Sequence, residues 1–429
     1  MNGSQNPFIW KSLAARLNRD PGTPVQDPTV SFWQDPPHPF AQRASPSLPK
    51  EADVVIIGSG IAGISTALHL IRRDSLLKIV MLEARNAISG ATGRNGGHIK
   101  AVPWADYYAL KEAFGKESAM KVTKFRLAHL DAMVAEAAAL GEAGKAGLVR
   151  RLEGISAVYD QEAWNFAKVK LDEFLEDFPE ERDKWTVCED ESELKELGLV
   201  NAYGCIKGRS GAAWPYRFLG CILSQMLDQG HLNLETHTVA EGVQKVQSSD
   251  HPTLWATGFD YITQSPAEDG SLYLGGGFFQ GGPEKDEDLG NTDDSTLSAQ
   301  CLEHLETVPA KAFAHGKGAK TEKKWTGIMG FTGDGLPLVD RVSSHLSGRE
   351  PCNPSVGGEW IAAGWDGYGM VHCWLAGKAL AALVKGHEDE ILDWFPRKEF
   401  ACTKERLDSM SPEGALKRFV GALESENLG

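Results

Sequence analysis

Val54-Val55-Ile56-Ile57-Gly58-Ser59-Gly60-Ile61-Ala62-Gly63 is the stretch that decides the fold of this chain. A β-branched run closed by glycine predicts a short strand, and Ile61, Ile64, Leu68 and Ile71 then recur at helical spacing on one face. A second β run, Lys78-Ile79-Val80-Met81-Leu82, ends at Glu83, so strand, helix and strand form a βαβ unit. Gly58, Gly60 and Gly63 stand in G-x-G-x-x-G spacing at the strand-to-helix turn. The first glycine permits the tight turn, the second a close approach of a diphosphate, the third close packing of the helix. The diphosphate would rest on the helix N-terminus at Ile61 and Ala62, where N–H groups and the helix dipole favour negative charge. Glu83, 20 positions after Gly63, is placed to accept hydrogen bonds from ribose hydroxyls, and an acid there disfavours a 2′-phosphate. This unit serves FAD and NAD alike and does not separate them.

Outward from this unit, the 429 residues leave room for two domains, with an ordinary 42% of hydrophobic and 24% of charged side chains. A formal charge of −15 repels phosphate backbones, so a nucleic-acid partner is not expected. The seven cysteines are odd in number and form no CxxC pair, which fits a reducing compartment and gives no metal motif. The first twenty residues hold no apolar signal core, no later run is long enough to cross a bilayer, and Glu-Asn-Leu-Gly is no peroxisomal ending. A cytoplasmic protein without a membrane partner is the expectation.

Residues 1–50 are dense in proline and read as an extended arm. Residues 105–145 and 161–183 read as helices. Strand-like stretches fall at 232–246, 259–264, 271–279, 324–331 and 359–363, and a helix at 371–384. The acidic stretch 284–288 reads as a solvated loop, and the chain beyond about 386 as a charged helical cap.

Directly after Glu83 come Ala84-Arg85 and then Ser89-Gly90-Ala91-Thr92-Gly93-Arg94-Asn95-Gly96-Gly97-His98. Near the other end stand Trp325-Thr326-Gly327-Ile328-Met329-Gly330-Phe331-Thr332, Asp334-Gly335-Leu336-Pro337 and Gly364-Trp365-Asp366-Gly367-Tyr368-Gly369-Met370. In this order the segments resemble the D-amino-acid oxidase, glycine oxidase and sarcosine oxidase superfamily of FAD enzymes. The likeness is greatest to the branch with gamma-glutamylputrescine oxidoreductases and many fungal proteins. The resemblance implies an α/β architecture: a Rossmann-like FAD-binding domain on a parallel sheet, and a second α+β substrate domain on a mixed or antiparallel sheet. The FAD-binding domain would take 51–104, 205–246 and 323–385, the substrate domain 105–204 and 254–322, and a helical tail 386–429. It implies that FAD is held by the fingerprint, by Glu83, Ala84 and Arg85, by Ala91, Thr92, Arg94, Asn95, Gly96 and Gly97, and by Asp334, Gly364, Gly367, Gly369 and Met370. Loops without a Cβ let main-chain amides reach the edge of a flat ring. A helix starting near Val371 could aim its positive end at the flavin C2 carbonyl.

Members of this superfamily oxidise a C–N bond, passing a hydride from the carbon beside nitrogen to flavin N5. The amine must be neutral at that moment, so the pocket needs a base or a desolvating aromatic wall. Trp325, Tyr368 and Trp365 are the wall candidates, and His98 is either the base or a hydrogen-bonding group for cofactor or backbone. The partner implied is a small-molecule amine, and the oligomeric state stays open. Met329 stands where glycine and D-amino-acid oxidases carry a carboxylate-gripping arginine, which makes a free α-amino acid a poorer fit. Gly327 stands where monomeric sarcosine oxidases tether flavin to cysteine, which implies noncovalent FAD. The link at 247–258 is much shorter than in relatives, which would remove strands and leave sheet edges open. The reading is therefore an amine oxidoreductase, probed by the colour of the protein, with a catalytically inactive remnant of the family as the alternative and an NAD-linked dehydrogenase a distant third.

Overall fold

The computed structural model of the chain describes residues 22–240, 261–264, 271–277, 290–313, 316, 318–348 and 358–411. The short link at 247–258, the acidic stretch 284–288 and the tail beyond 411 lie outside the described residues. In chain order the main elements are β1 (Val54–Ile57), α1 (Ile61–Arg73), β2 (Ile79–Leu82), α2 (Pro103–Phe114), α3 (Lys116–Ala139), β3 (Arg150–Val158), α4 (Gln161–Asp177), β4 (Trp185–Cys188), β5 (Gly204–Ala212), α5 (Pro215–Asp228), β6 (Leu232–Glu235), β7 (Tyr261–Gln264), β8 (Leu272–Gly275), α6 (Ala299–Ala312), β9 (Leu338–Arg341), β10 (Trp360–Ala363), α7 (Cys373–Val384) and α8 (Lys404–Ser409).

The βαβ expectation is met. β1, β2 and β6 form a parallel sheet in the order β1-β2-β6, with Val54 opposite Ile79 and Ile79 opposite Leu232. Ile61, Ile64 and Leu68 bury the inner stripe of α1. α7 lies along α1, and its close approach explains Gly377: a Cβ there would stand 2.6 Å from the Ser65 Cβ. The Ser65 hydroxyl donates to the Trp374 carbonyl at 2.6 Å across the same contact. The two helices that open towards the cofactor motifs are thereby fixed to each other. On the outer face of β1 the fit fails, since Val55 and Ile57 are 56% and 61% exposed, and β1 pairs only with β2 among the described residues.

A second sheet is antiparallel, in the order β3-β5-β4, and β7-β8 and β9-β10 form antiparallel pairs. This corrects the placing of 205–212 with the nucleotide unit, because β5 pairs along its whole length with β3. The strand is hard to see in sequence, since Gly204, Gly208 and Gly211 interrupt it. In space, Trp164 covers Gly204 and Trp185 covers Gly208, so the apolar surface comes from aromatic rings on neighbouring elements. The stretch 324–331 is extended but not a strand. Its main chain is engaged by loops instead: the Thr326 N–H donates to the Thr29 hydroxyl, and the Gly330 carbonyl accepts from the Asp366 N–H. The helical stretch 105–145 divides at Gly115, whose φ of +79° closes one helix before the next begins.

The arm is bound to the body where it is described. Trp33 is buried, and its carbonyl accepts from the Trp214 indole at 2.7 Å. In the tail, α8 carries Arg406 back to Asp334. No helix among the described residues is long and apolar enough to cross a membrane.

Candidate cofactor and active site

The nucleotide end has the shape its glycines predict. Gly58 has φ +98°, and a Cβ on Gly63 would stand 2.2 Å from the Gly58 carbonyl oxygen. Gly60 caps α1 with no side chain of its own. The Ile61 N–H is taken by the Thr92 hydroxyl at 3.0 Å, which joins the two cofactor motifs. Glu83 directly follows β2 and shapes the turn. Its Oε2 accepts from the Ser59 N–H and hydroxyl at 3.0 and 2.6 Å, and its Oε1 accepts from the Arg85 N–H at 3.0 Å. These features fit a dinucleotide diphosphate at the N-terminus of α1.

At the flavin end, loop 91–97 is braced from within. The Asn95 side chain donates to the Ala91 and Thr92 carbonyls and accepts from the Gly97 N–H at 2.8 Å. The Asn95 N–H donates to Ala91. Two of the three amides expected to face a flavin are therefore spent inside the loop, and the Gly96 N–H is the one without a partner among the described residues. Gly97 takes φ +73°, and a Cβ there would meet the Ala213 carbonyl at 2.3 Å.

The loops from opposite ends of the chain are brought to the two ends of one extended stretch. Trp325 donates its indole N–H to the Arg94 carbonyl at 2.8 Å, while five residues further on Gly330 receives Asp366. Five extended residues span at most roughly 17 Å. Met329 approaches Gly367 between them. Loop 364–370 leads directly into α7, with Gly364 and Gly367 at φ +73° and +75° and a 3₁₀ turn at Gly369–Val371. Met370 is buried at that junction. Ala91 opens the 3₁₀ turn Ala91–Gly93 of the loop, and Ala84 stands between Glu83 and Arg85.

Several side chains assigned to the cofactor are occupied by protein. Arg85 and Arg94 both turn inward to Asp294, at 2.9 and 3.5 Å. Arg94 also donates to the Thr326 carbonyl at 2.7 Å, to the Thr29 hydroxyl at 3.1 Å and to the Thr29 carbonyl at 2.6 Å. Asp334 is gripped by Arg406, at 2.7 and 3.0 Å, so its carboxylate holds the tail against the loop. These pairings have one cause: a charge taken partly out of water finds a protein partner when the fold supplies one.

The Tyr368 hydroxyl donates to Asp106 at 2.8 Å, and the Arg126 guanidinium lies 4.6 Å from its ring centroid. Arg126 also sits 3.3 Å from Asp106 and donates to His372 Nε2 at 3.0 Å. Asp106 and burial hold the Tyr368 phenol above its usual range, and burial with Arg126 holds His372 well below its own. Asp106, Arg126, Asp294 and Thr29 had no visible signal in the sequence, being single polar residues in helical or loop context. His98 bridges to Ala212, and its Nε2 pairs with the Thr263 hydroxyl, which also donates to the Gly96 carbonyl at 2.9 Å.

Burial, helped by Lys100, pushes His98 down to about 4, and burial does the same to His129. Their unfolded values lie near 6.5, so the unfolded chain binds protons that the folded one refuses. Stability is then fully present above pH 6.5 and falls as pH drops towards 4, by up to about 1.4 kcal/mol per pH unit for each histidine. Urea midpoints at pH 7, 5.5 and 4.5 check this; a flat profile would contradict neutral burial.

A family model described as DAO, FAD dependent oxidoreductase, matches residues 53–248 and 231–383, and the chain belongs to that family, whose cofactor is FAD. Among individual proteins, gamma-glutamylputrescine oxidoreductase of Escherichia coli (strain K12) is 36% identical over 67 residues, 16% of this chain and 15% of that relative's length. The fold is similar to L-proline dehydrogenase from P. horikoshii, with a TM-score of 0.59 and 16% identity over 82% of this chain and 98% of that one. It is similar also to L-amino acid deaminase from Proteus myxofaciens, solved with anthranilate, with a TM-score of 0.58 and 16% identity over 85% and 95%. Glycine oxidase from Geobacillus kaustophilus follows, with a TM-score of 0.56 and 16% identity over 82% and 98%.

Proposed function

We propose that this chain holds FAD noncovalently and oxidises a C–N bond of a small amine or amino-acid-like substrate, with oxygen as acceptor, in the cytoplasm. Bound FAD would supply the hydride acceptor at N5. The observation that carries the reading is the seating of loops 91–97 and 364–370 at the two ends of one extended stretch, on a fold whose glycine turn suits a diphosphate. The side chains divide the work. Trp325 and Tyr368 wall the ring site, each with its polar atom committed to a protein partner. His98, neutral and paired with Thr263, suits a group that holds Gly96 in place better than a base, because an imidazole titrating near 4 takes protons from an ammonium poorly. Desolvation of the amine is then the route to its neutral form.

The inactive-remnant reading draws on the bare outer face of β1. One spectrum separates the two. The purified protein is expected to be yellow, to release its flavin on denaturation, and to bleach with a substrate amine under argon. A colourless protein that fails to take up added FAD would favour the remnant.

A further inference from the structure

The N-terminal arm runs beside the cofactor loop in the opposite direction. The Ala41 carbonyl accepts from the Ala87 N–H at 2.9 Å. Earlier in the arm, Gln34 Nε2 donates to the Ser89 and Gly93 carbonyls at 3.3 and 3.0 Å. Earlier still, the Thr29 carbonyl and hydroxyl accept from the Arg94 guanidinium at 2.6 and 3.1 Å. As arm numbering falls from 41 to 29, loop numbering therefore rises from 87 to 94. Gly93 leaves room for the approach, since a Cβ there would stand 3.2 Å from Gln34 Cγ. Both flanks of Gln34 are anchored. On one side the 3₁₀ turn Phe32–Gln34 buries Trp33 against Tyr273, with ring centroids 4.3 Å apart. On the other, the Arg43 carbonyl accepts from the Thr236 N–H at 2.8 Å, just past β6. Residues 46–50, between the arm and β1, are exposed and leave the arm room to lift.

This path follows the carboxyl ends of β2 and β6, the edge at which an open parallel sheet binds its ligand. One amide nitrogen serving two loop carbonyls fixes how the loop curves between Ser89 and Gly93. Within that curve the Thr92 hydroxyl takes the Ile61 N–H, so a shift of the loop reaches the helix start that suits a diphosphate. Lifting the arm removes a donor from the Gly93 carbonyl and two acceptors from Arg94, and polar groups left buried without partners are costly. We propose that residues 29–43 form a strap that seats the cofactor loop, with Gln34 as the positioning residue through which arm docking and FAD binding favour each other. The strap rests on the family's FAD and is independent of the proposed amine oxidation.

Coupling of this kind is reciprocal, so bound FAD must hold the arm down as the arm holds FAD in place. Hydrogen exchange of the full-length protein, with and without FAD, reads the first half and needs no variant. Exchange across residues 29–43 is expected to slow when FAD is bound. A fluorescence titration with FAD reads the second half. Gln34→Glu keeps the side-chain shape but sets a carboxylate against two carbonyls. It is expected to weaken FAD binding about 5- to 150-fold, the usual span of such couplings. A purely structural glutamine would shift the urea midpoint of the flavin-free protein and leave both readings unchanged. That result overturns the strap, as does equal exchange with and without FAD, wild-type FAD affinity in a folded Q34E, or a full-length chain that takes up no FAD. A protein that shows the coupling, but whose flavin no amine bleaches, would sink the amine oxidation and leave the strap standing.

Discussion

Gly63→Ala is expected to yield protein without bound FAD and with a stability lowered by about 1–3 kcal/mol. The added Cβ would stand 2.2 Å from the Gly58 carbonyl oxygen, and also 3.2 Å from Ile56 Cγ2. A flexible side chain could swing aside, but a carbonyl in the tight turn cannot move without opening the turn. Either the helix start retreats from β1 or Gly58 abandons its φ of +98°. In both cases the amides at the start of α1 leave the position a diphosphate needs. Flavin absorbance of the purified variant and its urea midpoint measure the two effects separately. A G63A protein with full flavin content and an unchanged midpoint would show that the turn is not the cradle.

The second large effect lies at Asp294, which is 2% exposed and faces two arginines. Asp294→Ala leaves the guanidinium groups of Arg85 and Arg94 buried without their ion-pair partner. Breaking a buried pair by removing one partner costs about 3–5 kcal/mol, because the stranded charge keeps its desolvation penalty. Burial already holds the Arg94 guanidinium below its usual range, with Asp294 opposing that shift. Asp294→Asn should recover part of the loss through hydrogen bonding while leaving the charge uncompensated. Chemical unfolding of the three proteins at neutral pH gives the ranking. Equal stability of wild type and D294A would mean that the arginines find water in the absence of the acid.

The parts of this molecule that follow local rules were readable in sequence. The βαβ unit is one such part, since period, turn glycines and terminal acid all fall within about thirty residues. The helices on either side of Gly115 are another. The antiparallel sheet was not readable, because β5 borrows its apolar cover from Trp164 and Trp185, residues that sequence spacing does not place near it. At the candidate site, main-chain features were legible because glycines mark them. Side-chain roles were not: Arg85, Arg94 and Asp334 belong to motifs, yet each is claimed by a partner far along the chain. Long-range pairing leaves no trace in local composition, so a motif arginine and a motif-bracing arginine look alike.

The knot at Thr29 bears on how the chain is made. Its hydroxyl donates to the Asp294 carbonyl and accepts from the Thr326 N–H, partners that lie 265 and 297 residues downstream. During vectorial synthesis at about 5–20 residues per second, the arm emerges from the ribosome roughly 15–60 s before its last partner exists. For that interval Arg94 lacks two of its acceptors, and the loop it braces can only be provisional. Flavin capture is therefore expected late in translation, after most of the polypeptide has left the tunnel, and a nascent chain stalled before Thr326 should not retain flavin.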